Sequence, residues 1–158
     1  MGKDNKWTDE RIINNLQFNE KDKDKLYETL NCLQETFVSY YKFNERDFVK
    51  IMNSVVLLCT SHEIYEDKAL FEELLDTLEV GVTSQRASSV NFDPLVELFK
   101  NEQFSDNMWI LTIILGFSYQ PKYIDYLKNI ETDDSVLQKE IEDAILELEQ
   151  VKKLTEEK

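Results

Sequence analysis

The chain has 158 residues, of which 42% are hydrophobic and 32% charged, and its formal net charge is −14. This length and apolar content fit one folded domain over residues 1–158 and exclude a globally disordered chain. Direct binding to nucleic acid is disfavoured, because phosphate contacts require basic side chains. Three glycines and two prolines are too few for the turns of a strand-rich fold, so the composition predicts an all-α protein.

The first predicted elements follow a terminus, residues 1–7, that we expect to fray. Thr8 has the chemistry of a helix cap, and a short helix is predicted from there to Leu16. From Leu26 to Tyr40 apolar residues recur at intervals of three and four. That spacing predicts a second helix with one buried face.

The third predicted helix begins at Asn44, a cap residue, and runs to Cys59. It is apolar on most sides, so we expect it in the middle of the fold. Either Ser61 or Asp67 can begin the next helix. Gly81 then fits the position after that helix, where a left-handed backbone conformation favours glycine.

The second half of the chain predicts paired helices. Residues 81–92 are rich in small polar side chains and predict an irregular loop, after which Asp93 and Pro94 begin a helix. A further helix opens at Pro121, turns at an acidic corner of residues 133–135, and is followed by a last helix ending at Val151. The charged tail, residues 152–158, is expected to fray.

The segment of residues 108–117 is almost entirely apolar and predicts a buried helix. We expect Trp109 and Phe117 in the core. Gly116 is expected to permit close packing of this helix against a neighbour.

The last helix pair resembles a HEAT-type repeat. The residues that carry the resemblance are the run Pro121-Lys-Tyr-Ile-Asp-Tyr-Leu, the Asp133-Asp134 corner, and Leu137, Ile141, Ala144 and Leu148. Residues 93–118 and 45–80 match more loosely. The resemblance implies a short right-handed helical solenoid of about seven or eight helices. The inner helices lack the arginine usual in the family, and residues 81–92 lengthen the repeat. A compact irregular helical bundle is the alternative architecture.

Catalytic and metal-binding patterns are weak throughout the sequence. His62 is the only histidine, and it lies beside Glu63 without further ligands at metal-binding spacing, which predicts a surface histidine. Carboxylate pairs on the helices fall opposite the apolar stripes and predict solvated surface. Cys32 and Cys59 lie within apolar patterns, as reduced core thiols do. We therefore predict a protein without enzymatic activity, cofactor or metal.

The beginning of the chain is basic, but no apolar segment follows Lys3 and Lys6 as it would in a signal peptide. The longest apolar windows are about half as long as a membrane-crossing helix. These features predict a cytoplasmic protein without a membrane partner.

The negative charge is concentrated in residues 61–81, which carry seven acidic side chains and one lysine. Such a surface can attract a basic protein partner and accelerate association. In type, a small acidic helical protein without catalytic residues is similar to bacterial immunity proteins. That similarity implies a basic toxin domain, such as a nuclease, as the partner, with its active site covered. The alternative is an adaptor or scaffold subunit that inhibits nothing. The candidate surface consists of Glu66, Glu72, Glu73, Asp76, Arg86, Tyr119, Glu131, Asp133 and Asp134.

Overall fold

The structure is a computed structural model and describes residues 9–16 and 22–156. Within these ranges the chain is entirely helical, without a strand, which confirms the all-α prediction. The helices are α1 (Asp9–Asn15), α2 (Lys23–Val38), α3 (Glu45–Cys59), α4 (His62–Tyr65), α5 (Lys68–Ser84), α6 (Asp93–Leu98), α7 (Met108–Gly116), α8 (Ile124–Lys128) and α9 (Ser135–Glu156), with 3-10 segments at Glu102–Asn107 and Pro121–Tyr123. The expectations for Thr8 and for residues 1–7 lie outside the described residues.

Polar side chains begin several helices at the predicted positions. Asn44 Oδ1 accepts a hydrogen bond from the backbone N–H of Asp47 at 2.8 Å and so caps α3. Asp67 Oδ1 accepts from the N–H of Leu70 at 3.2 Å at the start of α5. In the acidic corner, Asp134 Oδ1 accepts from two backbone N–H groups of α9 at 2.9 and 3.2 Å. Each cap satisfies N–H groups that have no partner within their helix.

The helices α2 and α5 lie side by side and run in the same direction. Lys23 forms an ion pair with Asp67 where both helices begin. At the other end, Lys42 Nζ, just beyond α2, donates to the carbonyl oxygen of Ser84 at 2.9 Å. The two contacts join start to start and end to end, which fixes the parallel orientation.

The helices α7 and α9 extend the pair of α2 and α5 into a row of four helices. Asn107, immediately before α7, donates from Nδ2 to Glu72 Oε2 of α5 at 3.2 Å. On its other side α7 packs against α9, and Gly116 lies against Ala144. A second layer completes the fold: α3 packs on α5 and α6, while α8 and the 3-10 segment before it pack on α9. The result is a compact helical bundle in which α2, α5, α7 and α9 form one row.

Two glutamine side chains hold the connection between α5 and α6. Gln85 accepts from the N–H of Phe43 at 2.9 Å and donates to the carbonyl of the same residue at 3.0 Å. Gln120 is buried, and its Nε2 donates to the carbonyls of Ala87 at 2.9 Å and Val90 at 2.6 Å. These bonds satisfy backbone groups that have no helical partner, so a non-helical segment can lie against the core.

Two predicted helix ends are wrong. Gly81 was expected after the helix, but α5 continues to Ser84, and Gly81 has no positive φ. It is a packing residue, since a Cβ there would meet Met52 Sδ at 2.6 Å. The irregular connection is accordingly shorter, residues 85–92. The last helix also continues beyond Val151, because α9 extends to Glu156.

The expectation that Trp109 and Phe117 lie in the core is also wrong, because their side chains are 48% and 45% exposed. The helix α7 is apolar on every side, so its sequence pattern carries no information on which face is outward. Neighbouring helices decide this. They cover Ile110, Leu111 and Ile114 fully and leave one line of apolar residues open to solvent.

The close approach of α7 and α9 can be tested with two matched substitutions. A Cβ at Gly116 would lie 2.9 Å from Ala144 Cβ and 3.1 Å from its Cα, which cannot move without shifting α9. We expect Gly116→Ala to lower the free energy of unfolding by about 1–2 kcal/mol, because overpacking exceeds the gain in helix propensity.

Gly81→Ala is the control, since the atoms closest to its new Cβ belong to the flexible end of Met52. We expect that variant to stay within about 1 kcal/mol of the parent protein in urea unfolding. Equal stabilities of Gly116→Ala and the parent would show that α7 and α9 are further apart than described.

Candidate protein-interaction surface

The outward face of α7 is a line of three apolar side chains, Trp109, Ile113 and Phe117, which we name the α7 strip. They are four residues apart, so they share one side of the helix. Ile113 is half-buried between its two more exposed neighbours. Apolar side chains that are scattered singly need no explanation, but a continuous line on one helix is a candidate contact surface.

Carboxylates of α5 flank one end of the strip. Glu72 and Asp76 line a depression of about 370 Å³ together with Trp109 and with Asp106 from the 3-10 segment before α7. Glu79 lies one turn further along α5 than Asp76. The hydrogen bond from Asn107 holds Glu72 in this position. The side chain of Trp109 is therefore bordered by acidic groups from α5 and from the 3-10 segment before α7.

Carboxylates of α9 flank the other end. Glu140, Asp143 and Glu147 line a depression of about 300 Å³ with Ile113 and Phe117. These acidic residues recur at intervals of three and four, so they follow one edge of α9. Leu146 also borders this depression and is 55% exposed. The strip is thus bordered by negative charge from α5 at Trp109 and from α9 at Ile113 and Phe117.

The carboxylates of the two flanking helices influence each other electrostatically. The pKa of Glu79 is raised, first by partial burial and then by the negative charges of Asp76 and Glu140. The pKa of Asp76 is raised by partial burial and by the charges of Glu73 and Glu72. Glu140 belongs to α9 and Glu79 to α5, so like charge on these two helices contributes to the raised pKa of Glu79.

Little positive charge compensates this border, which we name the acidic rim. Its residues are Glu72, Asp76, Glu79, Asp106, Glu140, Asp143 and Glu147. Lys139 Nζ lies 2.9 Å from Asp143 Oδ1. Among the described residues, the other rim carboxylates have no basic group within 4.0 Å, the limit for a salt bridge. The rim therefore presents an excess of negative charge around an apolar centre.

The structure brings together two of the residues predicted for partner binding, Glu72 and Asp76. Glu73, although adjacent in sequence, points to the other side of α5 and accepts a hydrogen bond from Gln34 Nε2 of α2 at 3.2 Å. Glu66 Oε1 lies 3.0 Å from His62 Nε2, within hydrogen-bonding distance. These two carboxylates do not line the depressions beside the α7 strip.

The remaining predicted residues lie in two other places. The Arg86 guanidinium lies over the ring of Tyr119, 4.7 Å from its centroid. Tyr119 has a φ of 60°, which is uncommon for a residue other than glycine. Glu131, Asp133 and Asp134 are exposed in the connection between α8 and α9, where Asp134 caps α9. The residues predicted for partner binding therefore lie in several separate places in the structure.

The residues that suggested chemistry have ordinary surroundings. The His62 side chain is 72% exposed, which confirms the prediction of a surface histidine. Both cysteines are free thiols, and burial raises the pKa of Cys59 and opposes formation of its reactive thiolate. Within residues 9–16 and 22–156, no group of His, Cys, Asp and Glu side chains is arranged to hold a metal ion.

The aromatic residues of the strip and the α9 carboxylates were not predicted from the sequence to be parts of one surface. Trp109, Ile113 and Phe117 do share a helical spacing that could have indicated a common face. The pattern alone cannot show that this face is outward. Glu140 and Glu147 looked like ordinary solvated residues, because their proximity to α5 depends on the packing of α7 between the two helices.

No protein-family model, curated protein or solved structure significantly matches this chain. None of the helices in the described part of the chain is long and apolar enough to cross a membrane.

The proximity of the two sides of the rim can be tested with Glu79→Gln, Glu140→Gln and the double variant. Glu79 has a raised pKa when folded, so its unfavourable charge is present above that pKa and is lost as the pH falls toward the unfolded value. At about pH 7 we expect Glu79→Gln to raise the free energy of unfolding by roughly 0.3–0.5 kcal/mol.

The double variant should gain less than the sum of the single variants, because either substitution removes the same repulsion. This coupling should weaken as the pH falls through the raised pKa of Glu79, because protonation of that carboxylate removes the repulsion. Glu28→Gln, an exposed change on α2, is the control. Full additivity at neutral pH would contradict the described approach of α5 and α9.

Proposed function

We propose that this chain is a protein-binding module that holds a basic protein partner against the acidic rim. The observation that carries the proposal is the combination at one place of exposed Trp109 and Phe117 with carboxylates from both neighbouring helices. Aromatic residues are typical anchors of protein interfaces, since they add much contact area with few rotatable bonds. The rim supplies long-range attraction for positive charge.

The electrostatics favour a partner of opposite charge. Asp76 and Glu79 have raised pKa values, so the isolated protein holds them charged at a free-energy cost. A cationic surface placed on the rim would offset the repulsion between these carboxylates and would add attractive interactions. The net charge of −14 also disfavours nucleic acid and other polyanions as the direct ligand.

We further propose that the partner is a toxin domain and that the chain acts as its immunity protein in the cytoplasm. A nuclease toxin must attract a polyanionic substrate and therefore carries a basic active-site surface. An acidic protein can cover such a surface by presenting charge similar to that of the substrate. Fast, electrostatically steered association suits this role, because the toxin must be bound before it acts.

The charge contribution can be tested by reversing Glu72 and Asp76 to lysine. We expect the association rate with the partner to fall by roughly 10-fold at low salt, with a weaker dependence on ionic strength. The matched control reverses Glu28 and Glu35, two exposed carboxylates of α2, and gives the same net charge. Equal slowing by both double variants would contradict a specific role of the rim and leave only a net-charge effect.

The immunity function itself is tested by capture and toxicity. The tagged protein is incubated with lysate of its source organism at low and moderate salt, and bound proteins are identified by mass spectrometry. We expect one basic partner, toxic when expressed alone and harmless when this chain is co-expressed. A stoichiometric partner without toxicity would support the adaptor role in place of the inhibitory one.

A further inference from the structure

The α7 strip is long enough for a second helix to pack along it. Trp109 and Phe117 are eight residues apart on one helix, which corresponds to about 12 Å along its axis. The strip backs onto fully buried residues of α7, so its position in the surface is set by the core. The rim carboxylates border it on two sides, and they give the surface an apolar centre with charged edges.

The common modes of peptide recognition differ in what they need from the receptor. Addition of a strand needs an exposed sheet edge, and the described residues contain no strand. An amphipathic helix instead needs an apolar line with polar borders, on which residues at positions i, i+4 and i+7 can rest. The α7 strip offers such a line between α5 and α9.

A second copy of this chain is a poor occupant. It would bring acidic rim against acidic rim, and like charges placed together at an interface repel each other and oppose association. Among the residues that the structure describes, Lys139 is the one that pairs with a rim carboxylate, Asp143. The occupant must therefore bring its own positive charge.

Resting on the proposed function, we infer that the segment docked on the strip is an amphipathic basic helix of the partner. Its apolar side chains lie on Trp109, Ile113 and Phe117, one helical turn apart. Lysine or arginine residues on both edges of that helix pair with carboxylates of α5 and of α9. The α5 edge is met at Asp76 and Glu79, and the α9 edge at Glu140 and Glu147.

The inference can be tested directly with designed peptides. The probe is a leucine–lysine peptide of about 18 residues, some 27 Å long as a helix, with leucine at every third or fourth position. A scrambled peptide of identical composition has no apolar face and is the first control. Binding is followed by the fluorescence of Trp109 in a Trp7→Phe background, because the chain contains two tryptophans.

We expect the patterned peptide to shift the Trp109 emission to shorter wavelength and to bind at least about 10-fold tighter than the scrambled peptide. Phe117→Ser should weaken its binding by about 10-fold, since it removes an apolar contact. Leu57→Ser is the matched control, because Leu57 is also an exposed apolar residue, 60% accessible, but lies on α3.

The charged edges are tested separately with the Glu79→Gln, Glu140→Gln double variant. It should weaken binding and reduce the salt dependence, while the preference for the patterned peptide over the scrambled one remains. This variant keeps the apolar strip intact, and it provides a second route if Phe117→Ser does not fold. Circular dichroism establishes that each variant retains the helical content of the parent.

Equal binding of both peptides, or equal effects of Phe117→Ser and Leu57→Ser, would overturn the inference. So would a dimer of the free protein that Phe117→Ser dissociates, because the strip would then be covered by a second copy. The peptide experiment does not depend on a natural partner, so its failure leaves the proposed binding of a basic protein intact. Conversely, a missing basic partner in the capture experiment would contradict the proposed function even where the patterned peptide binds, so the two failures are distinguishable.

Discussion

The packing of α7 between α5 and α9 is the constraint on which the interaction surface depends. This helix has nine residues, too few to be stable alone in water, so it forms only where neighbours bury its apolar sides. Gly116 allows the α9 backbone to come close at Ala144. That approach places Glu140 within electrostatic reach of Glu79 on the opposite side. The same packing leaves Trp109 partly in solvent, because no third helix among residues 9–16 and 22–156 covers the outward face.

The charges of the acidic rim lower the stability of the free protein, but the same charges would attract a positively charged partner. Lys23 and Asp67 pair at the starts of α2 and α5, where their hydrogen bond lowers the pKa of the carboxyl group. Around the strip, by contrast, burial and neighbouring carboxylates raise the pKa values of Asp76 and Glu79. A protein selected only for stability would gain by placing lysine or glutamine there. Repulsion between carboxylates beside an exposed apolar surface is expected where a positively charged partner neutralises those carboxylates on binding.

Sequence reasoning predicted the features that depend on local chemistry. The helical class followed from the scarcity of glycine and proline, and the cap at Asn44 followed from its short polar side chain. Gly81 was misassigned, since the need for a small residue there arises from contact with Met52 of another helix. The exposure of Trp109 and Phe117 could not be predicted, because α7 is apolar all round and only the arrangement of its neighbours selects the outward face.

The two parts of the surface should affect different steps of binding. Charge acts at a distance, so the rim chiefly sets how often a basic protein arrives in a productive orientation. Apolar contact acts only after docking, and the strip therefore governs how long the complex lasts. Because Trp109 and Phe117 project from a helix backed by the core, little conformational entropy is lost when they are covered. A basic protein without a matching apolar helix face would arrive rapidly and also leave rapidly. On the proposed function, selectivity for one partner would reside in the apolar pattern, while the carboxylates would accelerate association with any cationic surface.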